Sequence, residues 1–367
     1  MTIAAEIQSL SKANKELLQK FFFVNHARVP KSLKSFKKHE RNALCFLSIE
    51  TAQELCRFLD TPFFVLEEIM SHPVYEDYTI LKKRGGKRHI SAPQQALKRI
   101  QKRLNYFLQA FYLWIKPDQV HGFVIQPRYL VRHCALVQNA QVHVGKKYVL
   151  NIDLKDFFPG ISAHRIKTLF SSDCFQFSEQ LATALTLLTT YEGRLPTGAP
   201  TSPVLSNFIC RQLDADLTHF CQQLEISYTR YADDLTFSSD SIFSDEIIQQ
   251  IRSLIEKHHF EINEKKVRLK TANRKQTVTG LTVNQKVNVD RMFLKKIRAM
   301  LHDLTTSGLE QATKRHLKSE VVTVHQAAQF MHRLRGYINF VGQVRGKNDA
   351  LYHTFKTTIN KVLSVSK

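Results

Sequence analysis

The chain has 367 residues, of which 53 are Lys or Arg and 32 Asp or Glu, giving a formal net charge of +21 with 43% hydrophobic content. That apolar fraction excludes a disordered chain, and without an apolar run of about 18 residues no membrane-spanning helix organises the fold. A compact body with such an excess repels itself, so the leading partner class is a polyanion, nucleic acid before an acidic protein or a membrane surface.

Residues 1 to about 74 read as helical, because 5-AEIQSLSKANKELLQKFFF-23 and 50-ETAQELCRFL-59 repeat apolar residues at three- and four-residue spacing. Through Met70 the segment carries 10 Lys+Arg against 8 Asp+Glu and adds little to the excess. Glu6 and Glu16 interrupt the apolar run that a signal peptide needs, so a soluble protein of the cell interior is expected. The cysteines, Cys45, Cys56, Cys134, Cys174, Cys210 and Cys221, show no zinc-site spacing and read as reduced thiols.

From Leu81 to Pro117 there is no acidic residue, while Lys82, Lys83, Arg84, Lys87, Arg88, Lys98, Arg99, Lys102 and Arg103 crowd its first part. Within it, 78-YTILKKRGGKRHISAP-93 alternates apolar and polar residues on either side of Gly85-Gly86, which predicts a basic two-stranded finger. Two later segments read as strands ending in carboxylates. In 147-KYVLNIDLKDFFPG-160, Leu150, Ile152 and Leu154 share one face and Asn151 and Asp153 the other; in 226-ISYTRYADDLTFSS-239, two β-rich arms flank Ala232-Asp233-Asp234 at a hairpin tip. Asp is disfavoured in strands, and like charges a few ångströms apart do not both ionise cheaply. A divalent metal resolves that conflict, and two-metal phosphoryl transfer needs such a centre.

Between these strands, 202-SPVLSNFICRQLDADL-217 predicts a helix with Ser202 as N-cap, Pro203 at N1, and Leu205, Phe208, Ile209 and Leu213 on one face. Residues 264–367 hold 21 Lys+Arg and 6 Asp+Glu. There, 290-DRMFLKKIRAMLHDL-304 predicts a helix capped by Asp290, packing through Leu294, Ile297, Leu301 and Leu304 and offering Arg291, Lys295 and Arg298 to a phosphate backbone.

The pieces resemble, in order, the motifs of reverse transcriptases. Tyr231-Ala232-Asp233-Asp234 resembles the YxDD box, Asp153-Leu154-Lys155-Asp156-Phe157-Phe158 the first catalytic-aspartate motif, 195-LPTGAPTSPVLSN-207 the LPQGxxxSPxLSN segment, and 262-INEKKV-267 the short motif after the YxDD hairpin. Asn139-Ala140-Gln141-Val142-His143 is similar to the NAxxH motif of bacterial retron reverse transcriptases, and Val278-Thr279-Gly280 to their VTG motif. The resemblance implies an α+β right hand: a helical N-terminal region (1–74), fingers and palm with an antiparallel sheet (75–284), and a basic helical thumb (285–367).

It implies Asp153, Asp233 and Asp234 as catalytic residues holding two Mg²⁺. Lys83 and Arg88 would grip the triphosphate, and Phe158 would stand beneath the incoming sugar as a gate against the 2′-hydroxyl. Gly198 would lie close to the nascent base pair, Lys266 would serve the leaving pyrophosphate, and Asn139 and His143 would touch nucleic acid. Thr197 departs from the family, standing where Gln is usual. The implied activity is RNA-directed DNA synthesis from dNTPs in the bacterial cytoplasm. It would start at the 2′-hydroxyl of an internal guanosine in a structured noncoding RNA and leave a branched RNA–DNA product for antiphage defence with a separate effector protein. The rival readings are another kind of defence reverse transcriptase, and a scaffold that holds RNA–DNA and restrains a toxic partner.

Overall fold

The computed structural model describes residues 3–18, 33–82, 85–125 and 134–365, and its elements follow from local sequence signals. The chain begins with helices α1 (Ile3–Ala13), α2 (Lys38–Leu47), α3 (Ala52–Leu59) and α4 (Phe63–Ser71). The predicted helix at 5–23 breaks after Ala13, and its last residues, 19–23, lie outside the described residues. Helix α3 starts where its sequence says it should: the Thr51 hydroxyl accepts from Glu54 N at 3.2 Å and the Glu54 carboxylate accepts from Thr51 N at 3.3 Å, a reciprocal cap.

These helices share their core with the middle of the chain. Phe46 packs against Phe58, Phe175 and Phe177 with ring centroids 5.5, 6.2 and 5.4 Å away, all four buried. Each such ring contributes roughly 1.5–3 kcal/mol on burial, so the N-terminal helices are held by the same packing as the sheet. The basic finger is the expected antiparallel pair, β1 (Tyr75–Leu81) with β2 (Lys87–Pro93), turning at Gly85 and Gly86, both with positive φ. Helix α5 (Gln95–Ile115) then lays Leu97, Ile100, Leu104, Phe107, Leu108 and Phe111 into the core at helical spacing. Helix α6 (Ala135–Gln141) follows.

Four antiparallel strands form the central sheet in the order β4 (Ser227–Tyr231), β5 (Asp234–Ser239), β3 (Tyr148–Asp153), β6 (Arg268–Thr271). Strand β3 is covered on both faces, a departure from the half-buried strand expected: Leu150 and Ile152 join the first core, while Val149 joins a second core with the C-terminal helices. Helices α7 (Ala163–Ser171), α8 (Glu179–Thr189), α9 (Ser202–Ile209), α10 (Arg211–Gln223) and α11 (Asp245–Lys257) complete the central region. The helix expected over 202–217 is two helices meeting at Cys210, and Thr201 occupies the N-cap position. The Ser202 hydroxyl instead donates to Pro196 O at 2.7 Å, tying the helix to the loop before it.

A two-stranded ribbon, β7 (Thr277–Val278) with β8 (Leu281–Thr282), leads to α12 (Arg291–Leu317), α13 (Val324–Arg345) and α14 (Ala350–Val365). Asp290 caps α12 by accepting from Met292 N, and Leu294, Ile297, Leu301 and Leu304 are buried as the spacing predicts. The helix runs past its expected end but loses helical geometry at Gly308, where φ is 77°. All six cysteines are free. Among the described residues, no helix is long and apolar enough to cross a membrane.

Candidate active site

Register brings the carboxylates together. Strand β3 pairs with β5 so that Ile152 lies opposite Leu235 and Asp153 opposite Asp234. Strand β4 ends at Tyr231, leaving Ala232 and Asp233 as the whole connection into β5. Ala232 takes a left-handed φ of 60°, the cost of so tight a turn for a residue with a Cβ. Two backbone bonds lock neighbouring segments to this corner: Leu154 N donates to Asp233 O at 2.9 Å, and Asn263 N donates to Asp153 O at 2.8 Å.

Asp153 is 7% exposed, and Lys266 Nζ donates to both its carboxylate oxygens, at 2.6 and 2.8 Å, while Asn263 Nδ2 lies 3.3 Å from Oδ1. Asp234 is open to solvent on its outer side, yet protein crowds it within the corner and its carboxyl is in hydrogen-bonding reach of Asp153. That crowding, with the charges of Asp233 and Asp153, pushes the Asp234 carboxyl up to about 7. Burial and the Asp153 charge also raise Asp233, partly offset by Lys266 and Arg88.

Three carboxylates with one directly bonded cation among the described residues have the donor chemistry of a divalent oxygen-ligand site. Among the described residues, no set of three or more His, Cys, Asp or Glu side chains already stands at metal-binding distances. Lys266 occupies the position of positive charge at Asp153 instead, so the donor set fits a divalent ion once Lys266 yields those oxygens.

Around this corner, Phe158 is half-buried, with its ring 5.4 Å from Phe157 and 5.7 Å from Phe123. Arg88 is exposed on the finger, near enough for its charge to act on Asp233. The finger is held to the loop before α9: Ser91 N donates to Thr197 O at 2.8 Å, and a Cβ on Gly198 would stand 2.8 Å from Ser91 O. Only glycine allows that approach, and its φ of +135° adds to the requirement.

The reverse transcriptase (RNA-dependent DNA polymerase) family profile matches residues 80–284, which contain the whole of this corner. The chain is 31% identical over 285 residues to the retron Ec86 reverse transcriptase of Escherichia coli, covering 75% of this chain and 83% of that one. The chain belongs to the retron reverse transcriptases. It is 33% identical to the retron Mx65 reverse transcriptase of Myxococcus xanthus over 66% of its own length and 59% of that relative's, so it spans somewhat over half of that protein. A telomerase structure from Candida albicans, in complex with a fragment of telomeric RNA, aligns over 95% of this chain and 82% of its own at 9% identity and a TM-score of 0.44, a distant likeness.

Of the residues expected in a retron reverse transcriptase site, the fold gathers Asp153, Asp233, Asp234 and Lys266, with Arg88 and Phe158 at the margin. Lys83 lies outside the described residues. Arg291, Lys295 and Arg298 are exposed on α12. Two expectations need correction. His143 is fully buried, its ring nitrogens 2.7 Å from Ser238 Oγ and Thr229 Oγ1, so it pins the chain after α6 to strands β4 and β5 and has no surface to offer nucleic acid. Asn139 is 1% exposed and equally enclosed.

No sequence motif marks Arg230 and Asp214. Both are fully buried and joined by two hydrogen bonds, Nε to Oδ1 at 2.8 Å and Nη2 to Oδ2 at 2.7 Å, directly behind the hairpin. The available signal was an Asp on the otherwise apolar face of Leu213 and Leu217, which a buried partner has to answer.

Proposed function

We propose that this protein is an RNA-directed DNA polymerase that copies a cognate structured noncoding RNA, primed from the 2′-hydroxyl of an internal guanosine, into a branched RNA–DNA product. The supporting observation is the register that sets Asp153 opposite Asp234 beside Asp233, in a chain of this family. Asp153, Asp233 and Asp234 would hold divalent ions, two Mg²⁺ in the two-metal form, which when bound activate the attacking hydroxyl and neutralise the departing pyrophosphate. Phe158 excludes a 2′-hydroxyl from the sugar position. Arg88, with Lys83, grips the triphosphate where charge builds during transfer. Lys266, released from Asp153, holds its proton near the leaving group. Gly198 lets its loop approach the new base pair, and Arg291, Lys295 and Arg298 track the phosphate backbone. The product and a separately encoded effector would then serve antiphage defence.

The nucleic acid that copurifies with the protein tests this reading. Treated separately with RNase and DNase, it should be a short, uniform DNA that shortens in apparent size when RNase removes an attached RNA. Heterogeneous DNA without attached RNA would contradict the retron form and favour an untemplated defence polymerase.

A further inference from the structure

Behind the carboxylates lies a polar assembly that the chemistry above does not use. The Arg230 guanidinium, fully buried, holds Asp214 in a two-point contact and also donates through Nη1 to Asn207 Oδ1 at 3.0 Å and to the carbonyl of Ala232 at 3.2 Å. Tyr228 donates its hydroxyl to Asp214 Oδ1 at 2.9 Å, and Asn207 Nδ2 donates to Gly122 O at 3.0 Å. The segment 119–122 closes the other side: Arg230 N donates to Gln119 O at 2.9 Å and His121 N donates to Arg230 O at 3.0 Å. Gly122 approaches so closely that a Cβ there would stand 2.3 Å from Ala232 N.

One of these bonds ends on the turn that carries Asp233, at Ala232 O, and two more fix the backbone of Arg230 just before it. A buried ion pair is seldom the most stabilising filling for a core, because desolvation consumes most of the attraction and well-packed apolar side chains do as well. A planar five-donor fork reaches four acceptor oxygens on three residues at once, which no apolar residue and no lysine can copy. One of those acceptors is the carbonyl of the left-handed Ala232, so the fork holds a backbone conformation that would otherwise relax.

We infer that Arg230, with Asp214 and Asn207, is a positioning assembly that fixes the depth and angle of the Ala232-Asp233 turn and thereby sets turnover, with little part in substrate affinity. The inference rests on the polymerase reading of the Asp153, Asp233 and Asp234 corner. A shift of about 1 Å in such a group is enough to cost about a hundredfold in rate.

The test compares full-length wild type, Arg230→Lys, Asn207→Ala and the double variant Arg230→Met with Asp214→Leu, each measured for thermal unfolding and for RNA-templated primer extension with dNTPs and Mg²⁺. Arg230→Lys is expected to lose at least tenfold in kcat with KM for dNTP and template affinity within about twofold of wild type. Asn207→Ala, which keeps the ion pair, should lose severalfold in the same parameter. The double variant should unfold near the wild-type temperature and still turn over at least tenfold more slowly. Recovery of both stability and kcat in the double variant would show a packing role alone and overturn the inference, as would wild-type kcat in Arg230→Lys. A wild type that incorporates no deoxynucleotide would instead contradict the polymerase reading and remove the inference with it.

Discussion

Asp153 shows how one side chain can be both a liability and a working part. It is nearly enclosed, faces Asp234 across the sheet and is neutralised by Lys266 at 2.6 and 2.8 Å. Without that countercharge the corner would hold carboxylates at a separation where they cannot all ionise. Phe158 carries a sharper consequence. Its ring packs on Phe157 and Phe123, and the proposed function makes it the gate against a ribose hydroxyl. Phe158→Val should raise rNTP incorporation relative to dNTP by tenfold or more in single-nucleotide extension, and an unchanged ratio would remove the gate. The three carboxylates were readable in the sequence because Asp153 closes one short β-rich run and Asp233 and Asp234 stand at a hairpin tip between two others. Arg230 was not, because a lone Arg in Tyr-Thr-Arg-Tyr reads as an outward-facing strand residue. Its burial depends on Asp214 and Asn207, 16 and 23 positions away, which only the fold brings near.

At the scale of elements, α6 and the sheet are joined by histidine chemistry. Burial pushes the His143 imidazole down to about 3, with His121 adding to the effect. His121 is itself pushed down to about 4 by burial and by Lys116. Both are therefore neutral in the folded protein at pH 7. In the unfolded chain each takes up a proton near pH 6.5, so between that value and the folded-state values the unfolded form binds more protons. Stability should fall as pH drops through this window, by about 1.4 kcal/mol per pH unit for each histidine. Urea denaturation at pH 7, 6 and 5 measures it. His143→Gln should be less stable at pH 7 but should lose stability less steeply on acidification; an unchanged slope would contradict the assignment. The sequence suggested a nucleic-acid contact for His143 because the motif was visible and its surroundings were not. Ser238 and Thr229, which engage its ring, lie 95 and 86 residues downstream. The antiparallel finger and the face of α12 were legible because two- and four-residue periodicities are local, whereas the break between α9 and α10 answers packing around Cys210 that no periodicity reports.

For the whole molecule, the net charge of +21 is unevenly placed. The first 70 residues are nearly balanced, while the finger and the last hundred residues hold the excess and the carboxylates fall between them. That layout suits a channel with two basic walls around an acidic centre. Affinity for an RNA–DNA hybrid should therefore fall steeply with added salt. Replacing Arg291, Lys295 and Arg298 by Gln should reduce the slope of log K against log salt by about 2 to 3, given about 0.7–0.9 per phosphate contact. A slope unchanged by the triple replacement would place the backbone contacts elsewhere.

In the proposed function, the corner of Asp153, Asp233 and Asp234 performs metal-dependent synthesis of DNA on RNA. Primer extension on an RNA template, with Mg²⁺ and dNTPs, measured for wild type and for Asp233→Asn at equal RNA occupancy, tests it most directly. The wild type should extend the primer and lose that activity in EDTA, and Asp233→Asn should lose at least a thousandfold with RNA affinity retained. Wild-type extension by Asp233→Asn would contradict it.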